Sequence, residues 1–424
     1  MAPSRDVDER QPHTDRTVPP SRTRMIIVLG LLVALGPLTI DMYLPALPKI
    51  ADELSVTSSV AQLTLTGTLA GLALGQLVVG PLSDSLGRRK PLVGGIVLHM
   101  AASLLCLFAT NITVLGIARG LQGVGAAAAM VVAIAVVGDL FSDSVAATVM
   151  SRLMLVLGVA PVVAPSLGAA VLVHASWHWV FATLVVLAGA LLVMAVLALP
   201  ETLPVDHRRP LKVGGIVSTY LLLVRDVRFV ILVLVAGLGM SGLFAYISGA
   251  SFVLQGRYGL SQGTFALVFG AGAVALIAST QFNVVLLARF SPQRIMVWAL
   301  FAASVSGAVF VGLATAGVGG LVGFVVPVWA ILGAMGLVIP NAPAVALSRH
   351  PDAAGTAAAL LGAAQFGLGA AIAPVVGVLG NDEFAMAVVM FSGVFVALLA
   401  LVTTGAHKNA ARPGSAGRAV TEPA

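Results

Sequence analysis

The sequence predicts an all-α integral membrane protein of twelve transmembrane helices arranged as two six-helix parallel repeats, and three observations carry that prediction. Of its 424 residues 59% are hydrophobic and 9% charged, with a mean hydropathy of +1.04, far from the roughly 25% charged residues of a soluble domain. Apolar runs of about 20 residues, each enough to cross about 30 Å of hydrocarbon as a helix, recur along the chain, whereas the alternating segments of an outer-membrane barrel do not occur. One long polar stretch, Glu201 to Arg228, divides the apolar runs six from six.

Residues 1–23 are polar, mixed in charge and proline-containing, and are expected to form a disordered cytoplasmic tail. Spans near 24–44, 60–80, 91–110, 114–138, 150–173 and 179–199 make a first bundle over residues 24–200. The run from Met25 is too long for a signal-peptide core and has no clear cleavage site after it, so it stays as the first helix. A cytoplasmic linker, 201–227, leads to a second bundle over 228–404, with spans near 228–250, 264–287, 295–316, 320–346, 355–379 and 384–404. Residues 405–424 form a cytoplasmic C-terminal tail.

Charge placement orients these spans. With the N-terminus in the cytoplasm, 20 of the 23 Lys and Arg residues fall inside, Lys49 and Arg257 fall outside, and Arg119 alone lies within a span. That bias fixes both termini in the cytoplasm and explains the net charge of +6 without a nucleic-acid partner. Ala160-Pro161-Val162-Val163 in span 5 recurs as Ala373-Pro374-Val375-Val376 in span 11. An echo six spans apart fits parallel repeats with a site between them near mid-membrane. The 46 glycines suit closely packed helices, and the single cysteine, Cys106, packs in an apolar run.

The candidate site begins with Asp41, an acid inside the first apolar run. A charged side chain at the bilayer centre costs about 3 kcal/mol on insertion scales, so one that persists there faces a cavity, a partner or a proton path. Pro37, four residues earlier, leaves the carbonyl of Val33 without its helical donor and is expected to break the helix. Arg119 lies about 9 Å below the outer boundary and Asp41 about 25 Å from the inner one, so their depths match and direct or water-bridged pairing is expected. Tyr43, Gln62, Gln122, Asn341 and Gln365 are candidate cavity residues. The seven histidines show no metal-ligand spacing, and no nucleotide-binding loop, nucleophile elbow or catalytic carboxylate pair is present. The protein is therefore not expected to be an enzyme, and its work is expected to draw on a proton gradient with no cofactor or metal.

The loop after span 2 reads Gly80-Pro81-Leu82-Ser83-Asp84-Ser85-Leu86-Gly87-Arg88-Arg89-Lys90. Gly80 is expected to let two helices touch, Gly87 to permit a tight turn, and Asp84 to accept hydrogen bonds from Arg88 or from a neighbouring helix. With Arg89, these residues would form a conformational latch. In this loop the sequence resembles the major facilitator superfamily, whose signature has the form Gly-x-x-x-Asp-x-x-Gly-Arg-Arg/Lys. Arg119-Gly120-Leu121-Gln122-Gly123 resembles the signature of proton-driven members, and Gly158, Pro161, Pro165 and Gly168 of span 5 resemble the antiporter signature.

More specifically, the chain resembles the Bcr/CflA drug-resistance group through Asp41-Met42-Tyr43-Leu44-Pro45-Ala46-Leu47-Pro48, Trp177-His178-Trp179, Leu199-Pro200-Glu201-Thr202-Leu203 and Pro340-Asn341-Ala342. Gly138, His178 and Ser251 depart from the group's pattern, which bears on the substrate. The resemblance implies a major facilitator fold in a bacterial inner (plasma) membrane. It also implies proton-coupled antiport of drug-like small molecules by a monomer embedded in lipid, with Asp41 as the carboxylate where proton and substrate compete. A proton-coupled exporter or symporter of a native metabolite is the alternative within this class, and a transport-silent receptor or scaffold the alternative outside it.

Overall fold

The computed structural model describes residues 22–208 and 210–403; of the expected tails, residues 22 and 23 are described and the rest of 1–23 and all of 405–424 fall outside the described residues. The first bundle contains α1 (Arg22–Asp41), α2 (Leu47–Glu53), α3 (Ser58–Leu86), α4 (Arg89–Leu107), α5 (Ile112–Leu140), α6 (Asp143–His174) and α7 (His178–Ala198). After the connecting α8 (Val213–Arg225) come α9 (Val227–Gly239), α10 (Ser241–Ser251), α11 (Gln262–Leu287), α12 (Pro292–Ala316), α13 (Gly320–Leu347), α14 (Ala354–Val378) and α15 (Glu383–Thr403). Together they make twelve helical stretches long and apolar enough to cross a membrane, from Thr23–Glu53 to Glu383–Thr403. The expected span count holds.

Helix starts follow local chemistry. Thr57, Asn111 and Ser261 sit in extended backbone and accept hydrogen bonds from the amides of Val60, Val114 and Thr264, which satisfies donors that the first turn leaves open. Between α3 and α4 the chain reverses at Gly87, whose φ of 89° belongs to the left-handed region and suits glycine. Exposed apolar side chains such as Leu197 (75%) and Val378 (81%) ring the outside. In water such a surface would be an aggregation hazard, whereas against lipid it is matched.

Inside the bundles, glycines set the helix spacing. A Cβ at Gly71 would strike the Gly120 carbonyl, one at Gly123 the Thr68 carbonyl, and one at Gly67 the Gly116 carbonyl. Backbone contact between α3 and α5 is the small-residue packing expected where lipid gives helices no hydrophobic reason to associate. The two bundles meet along α3 against α14 and α6 against α11. Neutral side chains tie the edge farthest from the chain ends. Ser59 Oγ donates to the Gly377 carbonyl at 2.7 Å, Gln62 Nε2 to the Ser248 carbonyl at 2.9 Å, and Ser251 Oγ to the Leu44 carbonyl at 2.6 Å.

Four expectations need correction. First, α1 stays helical through Pro37 and breaks only after Asp41, where a 3-10 turn at Leu44–Ala46 leads into α2. Second, span 7 is interrupted at Met240 and ends in a π-helical turn, Phe252–Arg257. Third, the linker is not merely polar chain, since it holds α8, from which the Tyr220 hydroxyl donates to the Leu77 carbonyl at 3.2 Å. Fourth, Gly80 contacts no neighbouring helix; nothing lies within 4 Å of a Cβ placed there, and the close approaches on α3 occur at Gly67, Gly71 and Gly75.

The packing has a direct test. Gly71→Val forces α3 away from α5 and is expected to cost about 1–3 kcal/mol or more, read as a clear fall in thermal unfolding temperature in detergent. Gly94→Ala, in the interior of α4 where an added Cβ meets nothing within 4 Å, is expected to leave that temperature unchanged or slightly raised.

Candidate functional site

Spans 1, 2, 3 and 4 converge on one buried polar cluster in the first bundle. Arg119, on the second turn of α5, is fully buried; its Nη1 donates to the Thr39 carbonyl at 2.8 Å and to Gln122 Oε1 at 3.0 Å. Its guanidinium lies 4.4 Å from the centroid of the Tyr43 ring and 5.9 Å from that of Phe181. Ring faces attract a cation in place of water, an attraction strengthened by desolvation. Tyr43 is anchored by Thr64 at 2.8 Å, Gln122 donates to Ser103 Oγ at 2.7 Å, and Thr39 Oγ1 lies 2.8 Å from His99 Nε2.

Asp41 lies two residues from both Thr39 and Tyr43 and is 2% exposed. Among the described residues its Oδ1 has no hydrogen-bond partner, and neither do Arg119 Nε and Nη2. Among the described residues Asp41 and Arg119 form no ion pair within 4 Å, so the direct form of the expected pairing is not made. Arg119 is instead held by the Thr39 carbonyl, Gln122 and the Tyr43 ring. Asp41 thus keeps one carboxylate oxygen free and Arg119 keeps Nε and Nη2 free, groups able to exchange a proton and to grip a polar ligand atom.

The span 5 residues frame this cluster. Gly168 admits the Met42 carbonyl where a Cβ would clash, fixing the turn after Asp41, while Gly158 meets Ile277 of α11. Pro161 and Pro165 lie within the continuous α6. Of the other cavity candidates, Gln62 is buried at the seam between bundles and donates to Asn381 at 2.6 Å; Asn341 donates to Asn283 at 2.7 Å within the second bundle, and Gln365 is half-buried on α14. Gln62, Asn341 and Gln365 therefore lie apart from the Arg119 cluster, whereas Tyr43 and Gln122 belong to it.

The loop after α3 forms a second polar assembly, on the face where α1 begins. Arg88 donates through Nη1 to Asp84 and through Nε to Asp139 at 2.8 Å, joining α3, α4 and α5. Asp139 also accepts from Thr202 at 2.8 Å, and Glu201 Oε1 accepts from the Arg88 amide at 2.8 Å. Arg89 reaches the Val196 carbonyl at 2.8 Å. Burial opposes ionisation of Glu201, but the amides of Arg88, Leu203 and Arg89 and the Arg208 guanidinium outweigh it and hold its carboxyl below the ordinary value. The sequence reading missed Asp139 and Glu201 as latch partners. The signal available was position: Asp139 stands one residue beyond the expected span 4 and Glu201 two beyond the expected span 6, both on the side of the basic loop.

Comparison with known proteins follows the same lines. The family model described as Major Facilitator Superfamily matches residues 29–374. The chain is 37% identical over 385 residues to the uncharacterized MFS-type transporter YdgK of Bacillus subtilis, covering 89% of this chain and 94% of that protein. It is 32% identical over 378 residues to the bicyclomycin resistance protein homolog of Haemophilus influenzae, covering 88% and 94%. In fold it matches a partially occluded inward-open structure of the xylose transporter XylE from E. coli with a TM-score of 0.68, at 13% identity over 89% of this chain and 96% of that one.

The Glu201 latch makes a pH-dependent contribution whose sign follows from its lowered value. Its stabilisation is complete above the ordinary glutamate value of about 4.3 and is lost as pH falls through the lower folded-state value. Glu201→Gln is expected to lower thermal stability at neutral pH and to reduce the further loss on acidification below about pH 4 that the unaltered protein shows, measured by unfolding in detergent across pH.

Proposed function

We propose, starting from the fact that this chain belongs to the Major Facilitator Superfamily, that it exports drug-like small molecules in exchange for protons by alternating access across a bacterial inner membrane. The observation that carries this reading is the buried Asp41 carboxylate, which keeps an oxygen free two residues from the Thr39 carbonyl that holds a fully buried arginine. A buried acid without a counter-ion is costly, and a site that alternately takes a proton and a cargo group gives it a reason to persist. The printed name of the Haemophilus relative, a bicyclomycin resistance protein homolog, supports drugs as the cargo class.

Antiport follows from competition. With Asp41 protonated the site is neutral there and releases cargo; with Asp41 ionised it accepts a cargo cation or hydrogen-bond donor, while Arg119 Nε and Nη2 offer donors to an acceptor. A proton moving inward supplies about 2.3 kcal/mol per 100 mV and about 1.4 kcal/mol per pH unit. No bound cofactor is needed, and one chain carries both repeats, so a monomer suffices. The charge bias of the loops supports a cytoplasmic location for both ends. The Arg88 assembly would then hold the cytoplasmic face closed, and the α6 seam at Gly158, which meets Ile277 of α11, would let the bundles rock.

The test is resistance and efflux in a drug-sensitive bacterial host. Expression is expected to raise tolerance to bicyclomycin or chloramphenicol, and a protonophore is expected to abolish the efflux. Asp41→Asn keeps the shape but cannot exchange a proton, and is expected to remove resistance at unchanged membrane abundance. Full resistance in Asp41→Asn would overturn the proton-coupled reading.

A further inference from the structure

Among the buried side-chain polar atoms that lack a hydrogen-bond partner within the described residues are Tyr246 Oη and Trp329 Nε1, in the second bundle on spans 7 and 10, the repeat counterparts of spans 1 and 4. Tyr246 on α10 is 1% exposed, and its ring stacks on Phe269 of α11 with centroids 4.8 Å apart and planes 6° from parallel. The Tyr246 hydroxyl lies beside the Trp329 indole of α13, and neither Tyr246 Oη nor Trp329 Nε1 has a hydrogen-bond partner elsewhere among the described residues. A Cβ at Gly272 would lie 3.2 Å from Trp329 Nε1. Phe269 and Gly272 are one turn apart on the same face of α11, so Tyr246 and Trp329 border one patch.

That patch borders the seam between bundles. Gly270 packs against Val162 of α6, and from α10 the Ser248 carbonyl and Ser251 hydroxyl reach Gln62 and Leu44 of the first bundle. An indole N–H can only donate and a phenol can donate beside it, and burying such groups unpaired is destabilising where apolar residues of the same shape would not be. Their retention at a seam calls for an acceptor that comes and goes.

We propose that Tyr246 and Trp329 form the second-bundle part of the cargo site, two convergent donors that bind a carbonyl or other neutral oxygen acceptor of a drug-like molecule. This rests on the export reading above and extends it. The first bundle would handle charge through Asp41 and Arg119, and the second would select cargo that carries a neutral acceptor.

Equilibrium binding to the full chain in lipid nanodiscs tests it with two probes, chloramphenicol, which carries an amide carbonyl, and ethidium, a planar cation without an oxygen. Tyr246→Phe and Trp329→Phe are each expected to weaken chloramphenicol binding roughly three- to tenfold, the loss of one neutral hydrogen bond, and to leave ethidium affinity unchanged. Because the two donors share one acceptor, the double variant is expected to lose less than the product of the single losses. If Trp329→Phe does not yield monodisperse protein, Tyr246→Phe alone decides. Unchanged chloramphenicol affinity in folded variants, or an equal loss for both probes, overturns the subsite while leaving the export reading intact. Unaltered protein that binds neither probe overturns the subsite and the export reading together.

Discussion

A guanidinium buried without a carboxylate partner is the constraint on which the rest of the first bundle depends. Arg119 has no access to water, so its charge must be met by the Thr39 carbonyl, Gln122 and the faces of Tyr43 and Phe181. Each of those groups is then held in turn. Thr39 is tied to His99, Gln122 to Ser103, and Tyr43 to Thr64. Four spans are thereby drawn to one point, and Asp41, between two of the groups that hold Arg119, is left with a free oxygen.

Glycine packing makes this constraint severe. Backbone contacts at Gly71 and Gly123 bring α3 and α5 together so closely that a single Cβ would part them. A bundle packed this tightly leaves little room for water to solvate stray polar atoms, so each unpaired buried atom costs energy in full. Several of the unpaired atoms fall on spans 1 and 4, at Asp41 and Arg119, and on spans 7 and 10, at Tyr246 and Trp329. Unpaired buried atoms thus occur in both halves of the repeated fold, these equivalent spans among their places.

Much of this was legible in the sequence, for identifiable reasons. Span number and the division into two bundles follow from apolar run length, which the bilayer dictates directly. Asp41 and Arg119 stood out because charge inside an apolar run is rare and cannot be accidental. The partnership between them was not legible, because depth along a helix says nothing of which way a side chain turns; Arg119 found a carbonyl and a ring at the same depth. Asp139 was missed because the expected span 4 ended one residue short of it, and the π-helical turn at Phe252–Arg257 carries no periodicity that distinguishes it from plain helix. Gly80 was misplaced because motif position does not reveal facing, whereas Gly71 and Gly75 on the same helix do approach a neighbour.

The central claim is that cargo and proton compete for Asp41, and proton release on drug binding tests it most directly. Drug added to the purified protein in weakly buffered detergent solution, followed with a pH-sensitive dye, is expected to release protons into the medium, and Asp41→Asn is expected to bind the drug without release. Equal release from the unaltered and Asp41→Asn proteins, or binding with no release from either, would contradict it.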